Sequence, residues 1–354
     1  MSQKIKVLIV DDSALVRSLL EKGLSKDPGI EVVGKANDVY VARDKIVMLK
    51  PDVLTLDVEM PRMDGIEFLK RLMPQHPLPV VMVSSLTQSG ASVTLRALEA
   101  GAIDFVPKPS VNLSSGLDEM LDDLIEKIKI AAKVDVKHWK EKQIDLKKKI
   151  DNKKHKILEG STDKVVAIGA STGGTVALTQ ILREFPADMP GTVIVQHMPP
   201  VFTRMFAETL TRETKLYVKE AEDGDRIIRG RVLIAPGDRH MEVRRSGGQY
   251  LVHIFDGEKV NGHRPSVGVL FNSVADQVGS NAIGLILTGM GQDGALEMKK
   301  MREAGAPTIA QDEKTSVVYG MPKVAFECGG ASEVRPLDQI CGRLVALINE
   351  KGKG

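Results

Sequence analysis

IKVLIVDD (residues 5–12) and DVLTLDV (residues 52–58) decide the fold of the first part of this 354-residue chain. Each is a short apolar run with aspartate at its carboxyl end, and helical patterns separate such runs; the first helix begins at a predicted N-cap, Ser13. The other runs are IEVVGKA (30–36), PVVMVSS (79–85) and IDFVPK (103–108). Strands with wholly apolar centres are typical of a parallel sheet covered by helices. These units predict a flavodoxin-like domain with ligands at the carboxyl ends of its five strands.

A second block with the same alternation begins at Lys164. Its strand-like runs are KVVAIGA (164–170), GTVIVQH (191–197), RVLIAP (231–236), AIGLILTG (282–289) and PTIAQD (307–312). A polar stretch at 238–256 predicts antiparallel strands, and the helical patterns predict a doubly wound α/β domain with a mostly parallel sheet. We therefore expect one domain over 1–130, a linker over 131–162 and a second domain over 163–350.

The predicted linker is rich in lysine, although the net charge of the whole chain is only +2. It has no arginine from 133 to 160 and one aromatic residue, Trp139, which argues against specific nucleic-acid recognition. A solvated, partly helical linker and a basic patch for an acidic partner both fit. No stretch approaches about 18 apolar residues, and the two cysteines cannot form a disulfide framework. We expect a cytoplasmic monomer without membrane insertion.

Acidic side chains follow two strands of the first predicted sheet. Asp11 and Asp12 end the first run, and Asp57 lies at the end of the third. These ends share one edge of a parallel sheet, and converging carboxylates favour a hard cation such as Mg²⁺. The fourth run reaches Ser84 and the fifth ends in Lys108, which add a hydroxyl and an ammonium group. The set predicts a carboxylate that accepts a phosphoryl group.

The segments VLIVDDSALVR, LDVEMPRMDG, VMVSS and FVPKP resemble the signatures of two-component receiver domains, over residues 1 to about 125. The resemblance implies that Asp57 is the phosphoacceptor and that a histidine kinase is the phosphodonor. It implies that Ser84 and Lys108 contact the phosphoryl group and that Phe105 is the aromatic residue that responds to it. The implied Mg²⁺ ligands are Asp12, Asp57 and the backbone carbonyl of Glu59, with Asp11 assisting.

A serine follows the first strand of the second block, in AIGASTGG (167–174). One interpretation is a phosphate-binding turn, in which backbone N–H groups at a helix N-terminus hold an anion. The other is a nucleophile elbow, because Gly-Ala-Ser171-Thr-Gly satisfies G-x-S-x-G. The segment lacks the full dinucleotide-binding spacing and a P-loop lysine, which weakens the case for a nucleotide.

Two further residues favour the nucleophile. His197 ends the next strand, and Asp293 lies in a glycine-lined loop after a buried strand. Ser171, His197 and Asp293 can therefore meet at one edge of a parallel sheet. The histidine would take the proton of the serine, and the carboxylate would orient the imidazole.

The blocks GASTGG, QHMPP, APGDRHM, GHRPSVG and LTGMGQDGA resemble, in this order, the catalytic domain of protein-glutamate methylesterases, also called protein-glutamine glutaminases (the CheB family). The resemblance covers about 164–350. It implies that Ser171 attacks the γ-carbonyl of a methylated glutamate, that His197 is the base and that Asp293 orients it, with no cofactor in this site. The same chemistry would deamidate specific glutamines.

Four more positions complete the predicted esterase site. The backbone N–H groups of Thr172 and Met290 are candidates for the oxyanion hole. His263 and Arg264 are candidates for substrate contact, although a surface turn with a solvated arginine fits that motif equally well.

The two resemblances together imply an esterase that phosphorylation activates and that acts on methyl-accepting chemotaxis receptors in sensory adaptation. We expect it to be recruited to receptor arrays, and we expect the unphosphorylated receiver to hold the esterase inactive. Three alternatives remain open. They are a receiver joined to an anion-binding module, a transcriptional regulator, which the absence of a helix-turn-helix pattern disfavours, and an esterase that serves an array controlling something other than swimming.

Overall fold

The computed structural model describes residues 3–85, 87–108, 115–136 and 164–350. The chain forms two compact units, Met1–Lys149 and Ile150–Gly354. Most of the predicted linker, including Trp139, lies outside the described residues. Its helical character and the predicted domain bounds therefore stay predictions.

The first unit alternates strands and helices throughout its described part. In chain order its elements are β1 (Ile5–Val10), α1 (Ala14–Leu24), β2 (Ile30–Ala36), α2 (Val39–Leu49), β3 (Val53–Asp57), α3 (Gly65–Gln75), β4 (Val80–Ser84), α4 (Gln88–Ala100), β5 (Asp104–Pro107) and α5 (Ser115–Ala131). The strands form a five-stranded sheet of order β2-β1-β3-β4-β5. All of its neighbouring pairs are parallel. The flavodoxin-like prediction is confirmed.

The predicted start of α1 is also confirmed, since the Ser13 side chain accepts a hydrogen bond from the N–H of Val16. Strands β3 and β4 are buried along their whole length. In the register of β1 and β3, Val10 pairs with Leu56. The next residues, Asp11 and Asp57, therefore leave their strands side by side at the carboxyl edge of the sheet.

The second unit is built on a larger sheet. Its elements are β6 (Val165–Ala170), α6 (Gly174–Glu184), β7 (Thr192–Gln196), α7 (Phe202–Glu213), β8 (Tyr217–Glu220), β9 (Arg231–Ile234), β10 (His240–Ser246), β11 (Gln249–Phe255), α8 (Val267–Gln277), a 3₁₀ turn (Gly279–Asn281), β12 (Ala282–Ile286), α9 (Ala295–Glu303), β13 (Thr308–Gln311), α10 (Met321–Glu327), β14 (Glu333–Arg335) and α11 (Leu337–Asn349).

The seven-stranded sheet has the order β14-β13-β12-β6-β7-β9-β8, and its neighbouring strands are all parallel. β10 and β11 form a separate antiparallel hairpin, which confirms the prediction for 238–256. The short edge strands β8 and β14 were not predicted. β14 has only half-buried residues and β8 buries only Val218, so neither produces an apolar run.

The chain order positions a crevice in this sheet. From β6 the chain moves to β7 on one side, and it later returns to β12 on the other side of β6. Loops that leave neighbouring strands in opposite directions open a crevice at their carboxyl ends. The residues after β6, β7 and β12 therefore surround one place. No helix among the described residues is long and apolar enough to cross a lipid bilayer.

Candidate functional site

The backbones of Ser171 and His197 lie side by side at the carboxyl edge of the second sheet. Ser171 directly follows β6, and His197 directly follows β7. The pairing of these strands continues past their ends, because the N–H of His197 donates to the carbonyl of Ala170 at 3.1 Å. On the other side, the N–H of Ser171 donates to the carbonyl of Thr288 at 3.0 Å. Backbone hydrogen bonds thus hold the segments after three strands at one edge.

Asp293, the predicted partner of His197, contacts the imidazole ring. Nε2 of His197 lies 2.8 Å from Oδ2 of Asp293. Nδ1 of His197 is buried and has no hydrogen-bond partner in the described part of the chain. A neutral imidazole with its hydrogen on Nε2 would donate to the carboxylate and keep a lone pair on Nδ1. The geometry therefore leaves Nδ1 as the nitrogen available to act as a base.

Asp293 is buried at 1% exposure and accepts a dense set of hydrogen bonds. The donors are Nε2 of His197, Nδ2 of Asn261, Oγ of Ser266 and the backbone N–H groups of Val267 and Gly268. The last two groups begin α8, where the helix dipole favours negative charge. Burial raises the pKa of Asp293, but the hydrogen bond and charge of His197 and the bonds from Asn261 and Ser266 outweigh it and hold the pKa below its ordinary value. The carboxylate is thus ionised at neutral pH.

Sequence reasoning missed Asn261 and Ser266. A serine before an apolar helical pattern signals an N-cap, and Ser266 does cap α8 by accepting from the N–H of Val269. Nothing in the local pattern links either residue to a carboxylate that lies 27 positions from Ser266 and 32 from Asn261.

Glycine is needed in the serine turn and also in the loop that passes beside it. Gly173 precedes α6 with φ of +77°, and a Cβ there would lie 2.6 Å from Cβ of Val317. A Cβ on Gly289 would lie 2.7 Å from Cβ of Ser171. The loop after β12 therefore passes against the serine itself, which only a residue without a side chain allows.

The predicted oxyanion-hole residues lie in these two segments. Thr172 follows the serine, is buried, and its carbonyl accepts a hydrogen bond from Oγ1 of Thr288 at 3.0 Å. Met290 follows Gly289, and its side chain is partly exposed. Both backbones are thus near Ser171, and their role as donors to an oxyanion stays a prediction.

The two candidates for substrate contact have different surroundings. The ring of His263 stacks on that of His197, with centroids 3.7 Å apart and an angle of 14° between the planes. The guanidinium of Arg264 donates to Oδ1 of Asp238 at 2.6 Å and also to the carbonyl of Gly257. His263 therefore belongs to the site, whereas Arg264 ties its loop to Asp238, in the segment before β10.

The first unit has a second candidate site, at the carboxyl edge of its sheet. Carboxylate oxygens of Asp11, Asp12 and Asp57 lie within 4.8 Å of one another. Nζ of Lys108 lies 2.8 Å from both Oδ2 of Asp11 and Oδ2 of Asp57. Burial, with a smaller contribution from the Asp11 charge, raises the pKa of Asp57 to about 6, although the Lys108 ammonium opposes this. Three close carboxylates with one ammonium leave negative charge that fits a hard cation such as Mg²⁺.

The remaining predicted residues of this unit line the same edge or the strand beside it. The N–H of Glu59 donates to Oδ1 of Asp57 at 3.3 Å, which places the Glu59 backbone at the carboxylates. Ser84 is buried and accepts a hydrogen bond from Oγ1 of Thr94 in α4. Phe105 is buried under Lys127, whose Nζ lies 5.4 Å from the ring centroid and donates to the Phe105 carbonyl at 2.6 Å.

Together, the flavodoxin-like unit with its acidic cluster and the doubly wound unit define a response regulator that carries an α/β output domain. Residues 7–117 match the family model described as the response regulator receiver domain. Residues 166–344 match the one described as CheB methylesterase. The chain belongs to the CheB family, the protein-glutamate methylesterases/protein-glutamine glutaminases.

Whole-length relatives and a solved structure agree with this family. The protein-glutamate methylesterase/protein-glutamine glutaminase of Syntrophotalea carbinolica is 59% identical over 351 residues, which is 99% of each chain. The protein of the same name from Sulfurimonas denitrificans is 57% identical over 353 residues, 98% of this chain and 99% of that one. The CheB methylesterase catalytic domain of Thermotoga maritima is 41% identical, with a TM-score of 0.51, and matches 53% of this chain and 100% of that one. Both resemblances noted in the sequence are confirmed.

Proposed function

We propose that this chain is a phosphorylation-activated serine esterase that demethylates glutamate methyl esters on methyl-accepting chemotaxis receptors. It also deamidates specific glutamines on them, and the outcome is sensory adaptation. The observation that carries the proposal is the contact between His197 and a buried, ionised Asp293 beside the turn of Ser171. A simple anion cradle at that turn would need neither residue.

The proposed reaction uses the groups that surround the serine. Nδ1 of His197 accepts the proton of Ser171 Oγ as that oxygen attacks the γ-carbonyl of the ester. The backbone N–H groups of Thr172 and Met290 bind the oxyanion, and His197 then protonates the departing methoxide to give methanol. Water hydrolyses the acyl-enzyme with the same histidine as base and releases glutamate. With a glutamine substrate, ammonia leaves in place of methanol.

Asp293 keeps its charge through this cycle. It orients the ring of His197 and stabilises the imidazolium that forms when the proton arrives. The ring of His263 stacks on the ring of His197, which supports a role for His263 in substrate contact and in limiting rotation of His197. Arg264 keeps the His263 loop in place through Asp238.

In this proposal the first unit regulates the activity of the esterase. Asp57 is the proposed phosphoacceptor, and a histidine kinase is the proposed donor. Asp12, Asp57 and the carbonyl of Glu59 would hold Mg²⁺ with help from Asp11, and the ion would offset the charge of the transferring phosphoryl group. Lys108 would pair with the phosphoryl oxygens, and Ser84 and Phe105 would respond to them. The protein is proposed to act as a monomer in the cytoplasm, recruited to receptor arrays.

Methanol release from methylated receptor fragments tests both halves. We expect release from the wild type to increase with a small phosphodonor and Mg²⁺, to vanish in Ser171→Ala, and to lose its stimulation in Asp57→Asn. Two matched controls should behave as the wild type. They are Ser246→Ala, at an exposed strand end, and Asp52→Asn, at the opposite end of β3 from Asp57. Absence of methanol from the wild type under every condition would refute the esterase assignment.

A further inference from the structure

The side chain of Gln196 connects the backbones of the proposed nucleophile and the proposed base. Gln196 is the last residue of β7 and is 3% exposed. Its Nε2 donates to the carbonyl of Ser171 at 3.0 Å and to the carbonyl of His197 at 3.2 Å. One amide group thus joins the turn after β6 to the end of β7.

The orientation of this amide follows from its partners. Both are carbonyl oxygens, which only the NH₂ group can bond, so the side-chain oxygen must lie on the other side. That oxygen is directed at the start of α6, where a Cβ on Gly174 would lie 2.2 Å from it. In the described part of the chain Oε1 of Gln196 has no hydrogen-bond partner. The amide is therefore held through its nitrogen alone, in a space that depends on glycine at 174.

The two carbonyls belong to peptide groups that set the direction of the catalytic side chains. The carbonyl of Ser171 also accepts from the N–H of Gly174 at 2.7 Å, which closes the turn. The carbonyl of His197 lies on the segment that leaves β7. Rotation of either peptide plane would move Oγ of Ser171 or the imidazole of His197, and a shift of about 1 Å between reacting groups is enough to slow a reaction by about 100-fold.

We infer that Gln196 is a positioning residue, whose amide fixes the nucleophile turn against the segment of His197 and so sets the position of Ser171 Oγ relative to His197 Nδ1. The inference rests on the proposed function of Ser171 and His197, and it adds a role for a residue that touches neither substrate nor the reacting atoms. This role also explains why β7, whose other residues are Thr192 and three β-branched apolar residues, ends in a buried amide.

The test compares Gln196→Met, which keeps the size of the side chain and removes both donors, with Gln180→Met. Gln180 is buried in α6 and is the matched control for loss of a buried amide. We expect kcat for methanol release to fall about 10- to 100-fold in Gln196→Met, with KM unchanged and with the control close to the wild type. Labelling of Ser171 by a fluorophosphonate probe should slow by a similar factor, while thermal unfolding of the two variants stays comparable.

Unchanged kcat and labelling in Gln196→Met would overturn the inference, as would a rise in KM alone. Should Gln196→Met not fold, Gln196→Glu carries the test, since it keeps the shape and directs oxygen at both carbonyls. Its labelling rate should also fall, and a rate equal to that of the wild type would overturn the inference. A wild type that releases no methanol would refute the proposed function instead, and the labelling comparison would still decide the role of Gln196.

Discussion

At the scale of single residues, the state of Asp293 depends on its hydrogen bonds. A buried carboxylate without donors would take up a proton, because burial disfavours charge. Here the side chains of His197, Asn261 and Ser266 and the first N–H groups of α8 all donate to it. The bond to His197 also determines which nitrogen of that ring carries hydrogen, so Asp293 sets the tautomer of its partner.

Because Asp293 is ionised and hydrogen-bonded in the folded chain, we expect the free energy of unfolding to depend on pH. The pKa of Asp293 in the folded chain lies below the ordinary value of 3.8, so the folded state binds its proton less readily than the unfolded state. The resulting stabilisation is complete above about pH 5 and is lost as the pH falls. Between about pH 7 and pH 3, the free energy of unfolding measured with urea should therefore fall less in Asp293→Asn than in the wild type.

The control for this experiment is Glu303→Gln, at an exposed position at the end of α9. It should keep the acid response of the wild type. Asp293→Asn should also lower kcat by about 10⁴-fold, because the amide no longer orients His197. An acid response identical to that of the wild type would mean that Asp293 is not held ionised as described.

A second prediction at this scale concerns the acidic cluster of the first unit. Mg²⁺ bound among Asp11, Asp12 and Asp57 would stabilise the folded state by about 2.7 kcal/mol at 100 times its dissociation constant. We expect the thermal unfolding midpoint of the wild type to rise with added Mg²⁺ and that of Asp57→Asn to rise much less. Asp52→Asn should respond as the wild type does, and equal shifts in all three proteins would argue against the proposed ligands.

At the scale of elements, two loops from neighbouring strands pass against each other at the nucleophile. Gly289→Ala would place a methyl group 2.7 Å from Cβ of Ser171 and 2.5 Å from Sδ of Met321. We expect a loss of about 1–3 kcal/mol in the free energy of unfolding, together with slower methanol release because the serine turn is displaced. Urea unfolding and kinetics measure the two effects.

Gly248 provides the matched control for this substitution. It lies between β10 and β11, and a Cβ there would meet nothing within 4 Å. Gly248→Ala should change the free energy of unfolding by less than about 0.5 kcal/mol and leave kcat unaltered. Equal effects of the two substitutions would show that the contact at Gly289 does not constrain the turn.

At the scale of the whole molecule, a regulatory unit and a catalytic unit share one chain. A receiver is a bistable element, and phosphorylation changes its charge and packing by a few kcal/mol, a bias large enough to control a fused domain. The solved catalytic domain from Thermotoga maritima corresponds to about half of this chain, which makes a separate fragment a practical reagent.

Removal of the receiver distinguishes inhibition by the unphosphorylated receiver from activation by the phosphorylated one. If the unphosphorylated receiver holds the esterase inactive, a fragment of residues 163–354 should release methanol faster than the full chain without phosphodonor. Addition of phosphodonor should bring the full chain towards the fragment and leave the fragment unchanged. A fragment no faster than the unphosphorylated full chain would indicate that phosphorylation acts by contacts that promote activity.

The sequence by itself determined the features that depend on local pattern. Apolar runs predicted the buried strands of both sheets, and the polar stretch at 238–256 predicted the hairpin, because burial on one face or two leaves a periodic signal in neighbouring residues. The positions of Ser171, His197 and Asp293 followed from their place at strand ends. The edge strands β8 and β14 left no such signal, since they bury few side chains.

Only the tertiary structure decided how the candidate sites are connected. The nitrogen of His197 that contacts Asp293, the donors Asn261 and Ser266, the stacking of His263 and the bridge made by Gln196 all join segments far apart in the chain. Hydrogen bonds depend on the distance and direction between two groups, and a sequence pattern constrains these only for near neighbours. Strand order and register bring such groups together, so their contacts exist only once the sheet has formed.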